Sequence, residues 1–152
     1  MDSIAVTVRQ SFPHSPERLF DAFLDPDCIG KWMFGSQIRD EEVLRIHVDP
    51  RRGGEFSFLV RRPAKPNGTE INHVGRYVDI SRPERLSFTW AIGIHDENSS
   101  RVTLEVIPLG LGSEVTLTHE IPIEWADYAE RTRGAWALML ATLAKVLDEQ
   151  FL

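Results

Sequence analysis

Ile4, Val6 and Val8 alternate with polar neighbours, which predicts a strand over residues 4–12 with one buried face. The next stretch, HSPERLFDAFLD, changes to helical spacing. Ser15 is a good N-cap, Pro16 suits the first helical position, and Leu19, Phe20 and Phe23 form an apolar stripe. Asp25-Pro26 closes that helix and opens a second, short one through Cys28 and Ile29 to about Trp32. From residue 41 the period returns to two. Successive apolar faces are Leu44, Ile46 and Val48; Phe56, Phe58 and Val60; a strand over 70–80; Leu86, Phe88, Trp90 and Ile92; Val102, Leu104 and Val106; and Val115, Leu117 and Ile121. The turn-rich segments DPRRGG, RPAKPNG, SRPER, HDENSS and PLGLGS separate them. Residues 124–150 then read as one long helix, with Tyr128, Thr132, Ala135, Trp136, Met139, Leu143, Val146 and Leu147 on one stripe.

Strands in succession joined by short turns pair antiparallel. Their alternation leaves one face wet and one dry, and the dry face needs a cover. A helix of about 25 residues, ~37 Å long, is long enough to supply it. The expected fold is therefore α+β: a curved antiparallel sheet around a long C-terminal helix, with two short helices after the first strand plugging one end. No repeat or linker divides the chain, so residues 1–152 are expected to form one domain.

Composition changes this picture little. With 42% apolar and 26% charged residues, the chain is ordinary for a soluble protein that buries a full core. The single cysteine, Cys28, makes no internal disulfide, and the N-terminus lacks the layout of a signal peptide; a cytoplasmic location is expected. No apolar run is long enough for membrane insertion. A net charge of −6 argues against nucleic acid as a partner. The pair Arg61-Arg62 reads as part of a solvated hairpin, and the acidic residues of the first third, Glu41 and Glu42 among them, as solvated surface. The sequons NGT and NSS read as turns. His14, His47, His73, His95 and His119 are too scattered for a metal-binding spacing, so neither metal nor cofactor is expected. No nucleophile elbow or phosphate loop is present.

Candidate chemistry lies on the dry face. In GKWMFG, Trp32, Met33 and Phe34 sit between Gly30 and Gly35, glycines that allow the chain to bend. Two readings stand: an end-plug of the core, or the lining of a cavity mouth. Phe56, Phe58, Phe88 and Trp90 share the inward parity of their strands, opposite Trp136 and Met139 of the helix. These side chains either pack solid or leave a pocket. An empty pocket of ~300 Å³ costs roughly 7 kcal/mol, so a large one needs water or a ligand inside it. His119 interrupts the dry parity of Val115, Leu117 and Ile121, and His73 shares parity with Ile71 and Tyr77. Both imidazoles are expected to point inward, either bonded to neighbours or orienting a bound molecule, with Tyr77 as a further donor.

Three stretches resemble a known family. They are FPHSPERLFDAFLDPDCIGKWMFG, VGRYVDISRPERLSFTW and TRGAWALMLATLAKVL. They are similar to the activator-of-heat-shock-protein-90-ATPase-like family of the START-like (SRPBCC) superfamily. The resemblance covers essentially the whole chain and implies the helix-grip fold, with a cavity between sheet and helix. The superfamily includes lipid and sterol carriers, hormone receptors and aromatase/cyclases. The expected function is binding of a small hydrophobic or aromatic molecule by Trp32, Met33, Phe34, Phe56, Phe58, His73, Tyr77, Phe88, Trp90, His119, Trp136 and Met139. The alternatives are a cyclase/dehydratase using His73 or His119 as base, and a chaperone-activator-like protein interaction.

Overall fold

The computed structural model describes residues 3–34, 38–63, 69–92 and 100–150. Gly35, His95 and most of both sequons lie outside them. Strand β1 (Ser3–Phe12) is followed by helices α1 (Pro16–Ala22) and α2 (Pro26–Trp32). Six strands come next: β2 (Glu42–Val48), β3 (Glu55–Arg62), β4 (Thr69–Ser81), β5 (Arg85–Ile92), β6 (Ser100–Leu109) and β7 (Gly112–Pro122). A 3₁₀ segment (Ile123–Tyr128) leads into helix α3 (Ala129–Glu149). The sheet is seven-stranded and antiparallel, in the order β1-β7-β6-β5-β4-β3-β2. The meander β2 to β7 follows from its short turns, and β1 closes the sheet on the far side of β7. This is the α+β architecture expected from the alternation.

Local chemistry sets the short helices. The Ser15 hydroxyl accepts from the Arg18 amide at 3.3 Å, and the Asp25 carboxylate accepts from the Asp27 amide at 3.1 Å. A proline opens each helix, where its missing N–H costs nothing. Gly30 lies inside α2, and a Cβ there would meet Ile46 and Val43 at ordinary distance. It provides no bend.

Two irregularities shift the strand faces. In β2, a bulge between Val43 and Arg45 takes Leu44 out of step, so Val43 joins Ile46 and Val48 against the core. In β4, a second bulge between Tyr77 and Asp79 leaves Val78 exposed and returns Ile80 to the core. At Gly75 a Cβ would lie 2.0 Å from the Thr89 carbonyl oxygen and 2.4 Å from the Phe56 ring. Only glycine lets that ring lie flat across the strand.

The last helix departs from expectation at its start. The first turns are 3₁₀, and Trp125 leaves the helical region at φ −99°, ψ 17°. Six residues are too few for an apolar pattern to separate a period of 3.0 from 3.6. From Ala129 onward α3 runs 21 residues, ~32 Å, and buries Trp136, Met139, Leu140, Leu143, Val146 and Leu147. Among the described residues, no helix is long and apolar enough to cross a membrane, and no cluster of three or more His, Cys, Asp or Glu is placed to hold a metal.

Candidate functional site

A cavity of about 500 Å³ opens between the sheet and the first half of α3. The cavity is open to solvent on one side, so it does not stand dry. The space is therefore one for water or a guest. Its apolar wall comes from Met33 and Phe34 after α2, Trp90 on β5, and Trp136 and Met139 on α3. His73 on β4 and His119 on β7 also line it.

The remaining sequence candidates lie elsewhere. Trp32 is fully buried, lies tilted against Phe23 with ring centres 4.7 Å apart, and donates its indole N–H to the Ala22 carbonyl at 3.0 Å. The GKWMFG segment is thus split: Trp32 plugs the end of the core, while the next two side chains face the hollow. Phe56, Phe58, Tyr77 and Phe88 form a ring cluster that does not touch the space. Phe56 is its hub, 4.8 Å from Phe58, 5.4 Å from Tyr77, 5.5 Å from Phe88 and 5.9 Å from Trp90. This cluster backs Trp90 and holds its ring in place. Burial pushes the Tyr77 hydroxyl upward in pKa, and no ligand in the cavity reaches it.

The histidines differ in their bonding. The Trp136 indole N–H donates to His119 Nδ1 at 3.1 Å. An indole nitrogen only donates, so Nδ1 is the bare nitrogen and the proton sits on Nε2. Nε2 lies 3.0 Å from the Ser100 hydroxyl, which itself donates to the Trp90 carbonyl at 2.5 Å. Every donor in this chain has one acceptor. It ties α3 to β7, β6 and β5 in one direction. Burial lowers the His119 pKa to about 4, and both nitrogens are engaged, so no lone pair is left to abstract a proton.

His73 donates from Nδ1 to the Phe58 carbonyl at 3.1 Å. Its Nε2 is then an acceptor with no partner among the described residues. The ring lies 4.8 Å from Phe34 and 5.4 Å from Trp90. Burial chiefly, with the nearby Arg62 and Arg39 cations, lowers its pKa to about 4. At neutral pH it is an uncharged acceptor in an apolar wall.

Several lining residues were not foreseen. Arg39, Arg62 and Arg131 all border the cavity, together with Ser100 and Trp125. Arg62 had a signal: it continues the inward parity of Phe56, Phe58 and Val60 on β3 and is not part of a solvated hairpin. Glu41, read as surface, is buried, with its carboxylate 3.3 Å from Arg62 and 3.9 Å from Arg39. Arg39 and Arg131 come from polar or exposed positions that sequence parity does not address.

The family model described as "Activator of Hsp90 ATPase homolog 1-like protein" matches residues 13–148. No curated protein matches the chain. Among solved structures, a protein of Chromobacterium violaceum is 24% identical with a TM-score of 0.76, over 94% of this chain and 96% of its own. An AHSA1-like protein from Aeromonas hydrophila is 18% identical at TM-score 0.78, over 97% and 94%. The Aha1 dimer from Colwellia psychrerythraea is 18% identical at TM-score 0.73, over 95% and 96%. At these identities the likeness is one of fold.

Proposed function

From the premise that this chain belongs to the Activator of Hsp90 ATPase homolog 1-like family, within the START-like (SRPBCC) superfamily, we propose that it binds a small hydrophobic molecule between sheet and α3. The observation that carries this reading is the hollow of about 500 Å³ itself, with Phe34, Trp90, Trp136 and Met139 on its wall. Pockets for small molecules are mostly apolar with a few placed polar groups. Here the placed group is His73, whose Nε2 accepts a hydrogen bond from a ligand N–H or O–H. His119 acts on the wall, by orienting Trp136.

The test uses the neutral dye N-phenylnaphthylamine, whose emission rises in apolar surroundings. Saturable one-to-one binding is expected. Ala135→Trp, which places an indole into the hollow from α3, is expected to abolish it while leaving the protein folded. A folded wild type that does not bind the dye, or an Ala135→Trp variant that binds it equally, overturns the reading.

The family match over residues 13–148 favours a second reading, a chaperone-activator-like interaction, more directly than it favours any ligand. That reading predicts faster phosphate release by an Hsp90 when this protein is added. An unchanged rate with the protein in excess removes it. The dye assay reads cavity binding and the phosphate-release assay reads chaperone activation, so each reading has its own test.

A further inference from the structure

The cavity is apolar inside, yet its border is cationic. Arg39, Arg62 and Arg131 all line it, in a chain whose net charge is −6. Arg62 and Arg39 share the Glu41 carboxylate, at 3.3 and 3.9 Å, and their cations both act on His73. Among the described residues, the ion pairs at that end of the hollow set two guanidinium groups against one carboxylate. Arg131 reaches the same space from α3, where it lies 5.6 Å from the Tyr128 ring centre and makes no ion pair among the described residues. Burial partly desolvates Arg39, and the Arg62 side chain is only 24% exposed. Half-buried guanidiniums are strong partners for carboxylate-like anions, which they grip with paired N–H groups.

Building on the cavity-binding reading, we infer that the ligand is an amphipathic anion. Its apolar or aromatic body lies against Trp90 and Trp136, its acid group lies at the Arg39–Arg62 end, and Arg131 adds a further cation to the cavity border. A neutral sterol-like guest would leave those cations without a role, and a highly charged phosphate ester would leave the aromatic wall unused. The chemistry that uses both halves is a hydrophobic monoanion, such as an aromatic or long-chain carboxylate.

Anilinonaphthalene sulfonate and N-phenylnaphthylamine share one aromatic body and differ by the anionic group. The anion is expected to bind more weakly as salt is raised, whereas the neutral dye is not. Arg39→Gln and Arg131→Gln are each expected to weaken the anion at least about tenfold, the scale of a charge-assisted hydrogen bond, and to leave the neutral dye within twofold. Glu41→Gln, which removes the competing carboxylate, is expected to tighten the anion. Gln substitutions at Arg39 and Arg131 leave Arg62 on Glu41, so the fold is kept; circular dichroism checks this. Equal effects on both dyes, or anion binding indifferent to salt and to all three substitutions, overturn the inference and leave cavity binding standing. If neither dye binds, the cavity reading fails first, and the inference with it.

Discussion

Acidification from pH 7.5 to pH 5 perturbs both cavity histidines at once. Each has an ordinary pKa of 6.5 and is held near 4 in the folded protein, first of all by burial. A depressed histidine pKa means that the unfolded chain binds the proton more tightly. Stability is therefore complete above pH 6.5 and is lost as pH falls from 6.5 towards 4. At 1.36 kcal/mol for each pH unit of difference, each imidazole withdraws about 2 kcal/mol by pH 5, roughly 4 kcal/mol together. For a domain of ordinary stability that is a large share. The geometry gives the same sign. A proton on His119 Nδ1 would meet the Trp136 N–H, a donor facing a donor, and a proton on His73 Nε2 would be a buried charge beside Arg62 and Arg39. The assay is urea unfolding at half-unit steps of pH, with His73→Gln/His119→Gln as the reference that carries the pH dependence of the rest of the chain. The wild-type curve should fall relative to the double variant through this window. Parallel curves would refute the reasoning and show that the rings are solvated or charged in the folded state.

Gly75→Ala places a methyl within 2.4 Å of the Phe56 ring and 2.0 Å of the Thr89 carbonyl oxygen. It is expected to destabilise by about 3 kcal/mol, read as a lowered denaturation midpoint at unchanged slope; a neutral effect contradicts the packing. Trp136→Phe removes the donor to His119 Nδ1 and is expected to cost 1–3 kcal/mol or more. It should also raise the His119 titration midpoint followed by NMR, since protonation no longer opposes the indole. A lower stability with an unmoved midpoint would mean that the indole acts by packing alone.

Much of the architecture was legible because strand parity and caps are local. Val6, Leu104 and Leu117 are buried where alternation put them, and Ser15 and Asp25 cap the helices they precede. The misreadings have physical causes. A bulge inserts one residue without any change in composition, so Leu44 fell out of step with Ile46 and Val48. The 3₁₀ start before Ala129 is too short to carry a period. At the site, parity shows which side chains turn inward but not how far they reach. Phe56 and Trp90 share a parity, yet only Trp90 borders the hollow. Arg62 was legible by the same parity as Phe58, and its charge argued it outward; the buried Glu41 that admits it comes from a loop whose return to β3 no local pattern encodes.

The two halves of the dry face solve different problems. On the β3–β5 side, Phe56, Phe58, Tyr77 and Phe88 interlock, held by apolar burial and close ring contact. Where α3 stands off from β5, β6 and β7, those contacts are missing by the volume of the cavity. The bond from the Trp136 indole to His119 crosses from α3 to β7, and Ser100 links that imidazole to the Trp90 carbonyl within the sheet. Directional bonds set a separation, which nondirectional packing does not: collapse of α3 onto the sheet would break the Trp136–His119 bond inside a low-dielectric wall, while the Ser100 bonds within the sheet hold the His119 ring. A leucine at position 119 would match the apolar face but would leave the Trp136 indole N–H without its acceptor. The polar residue on the dry face thus fixes the ring of Trp136, one of the side chains that border the hollow.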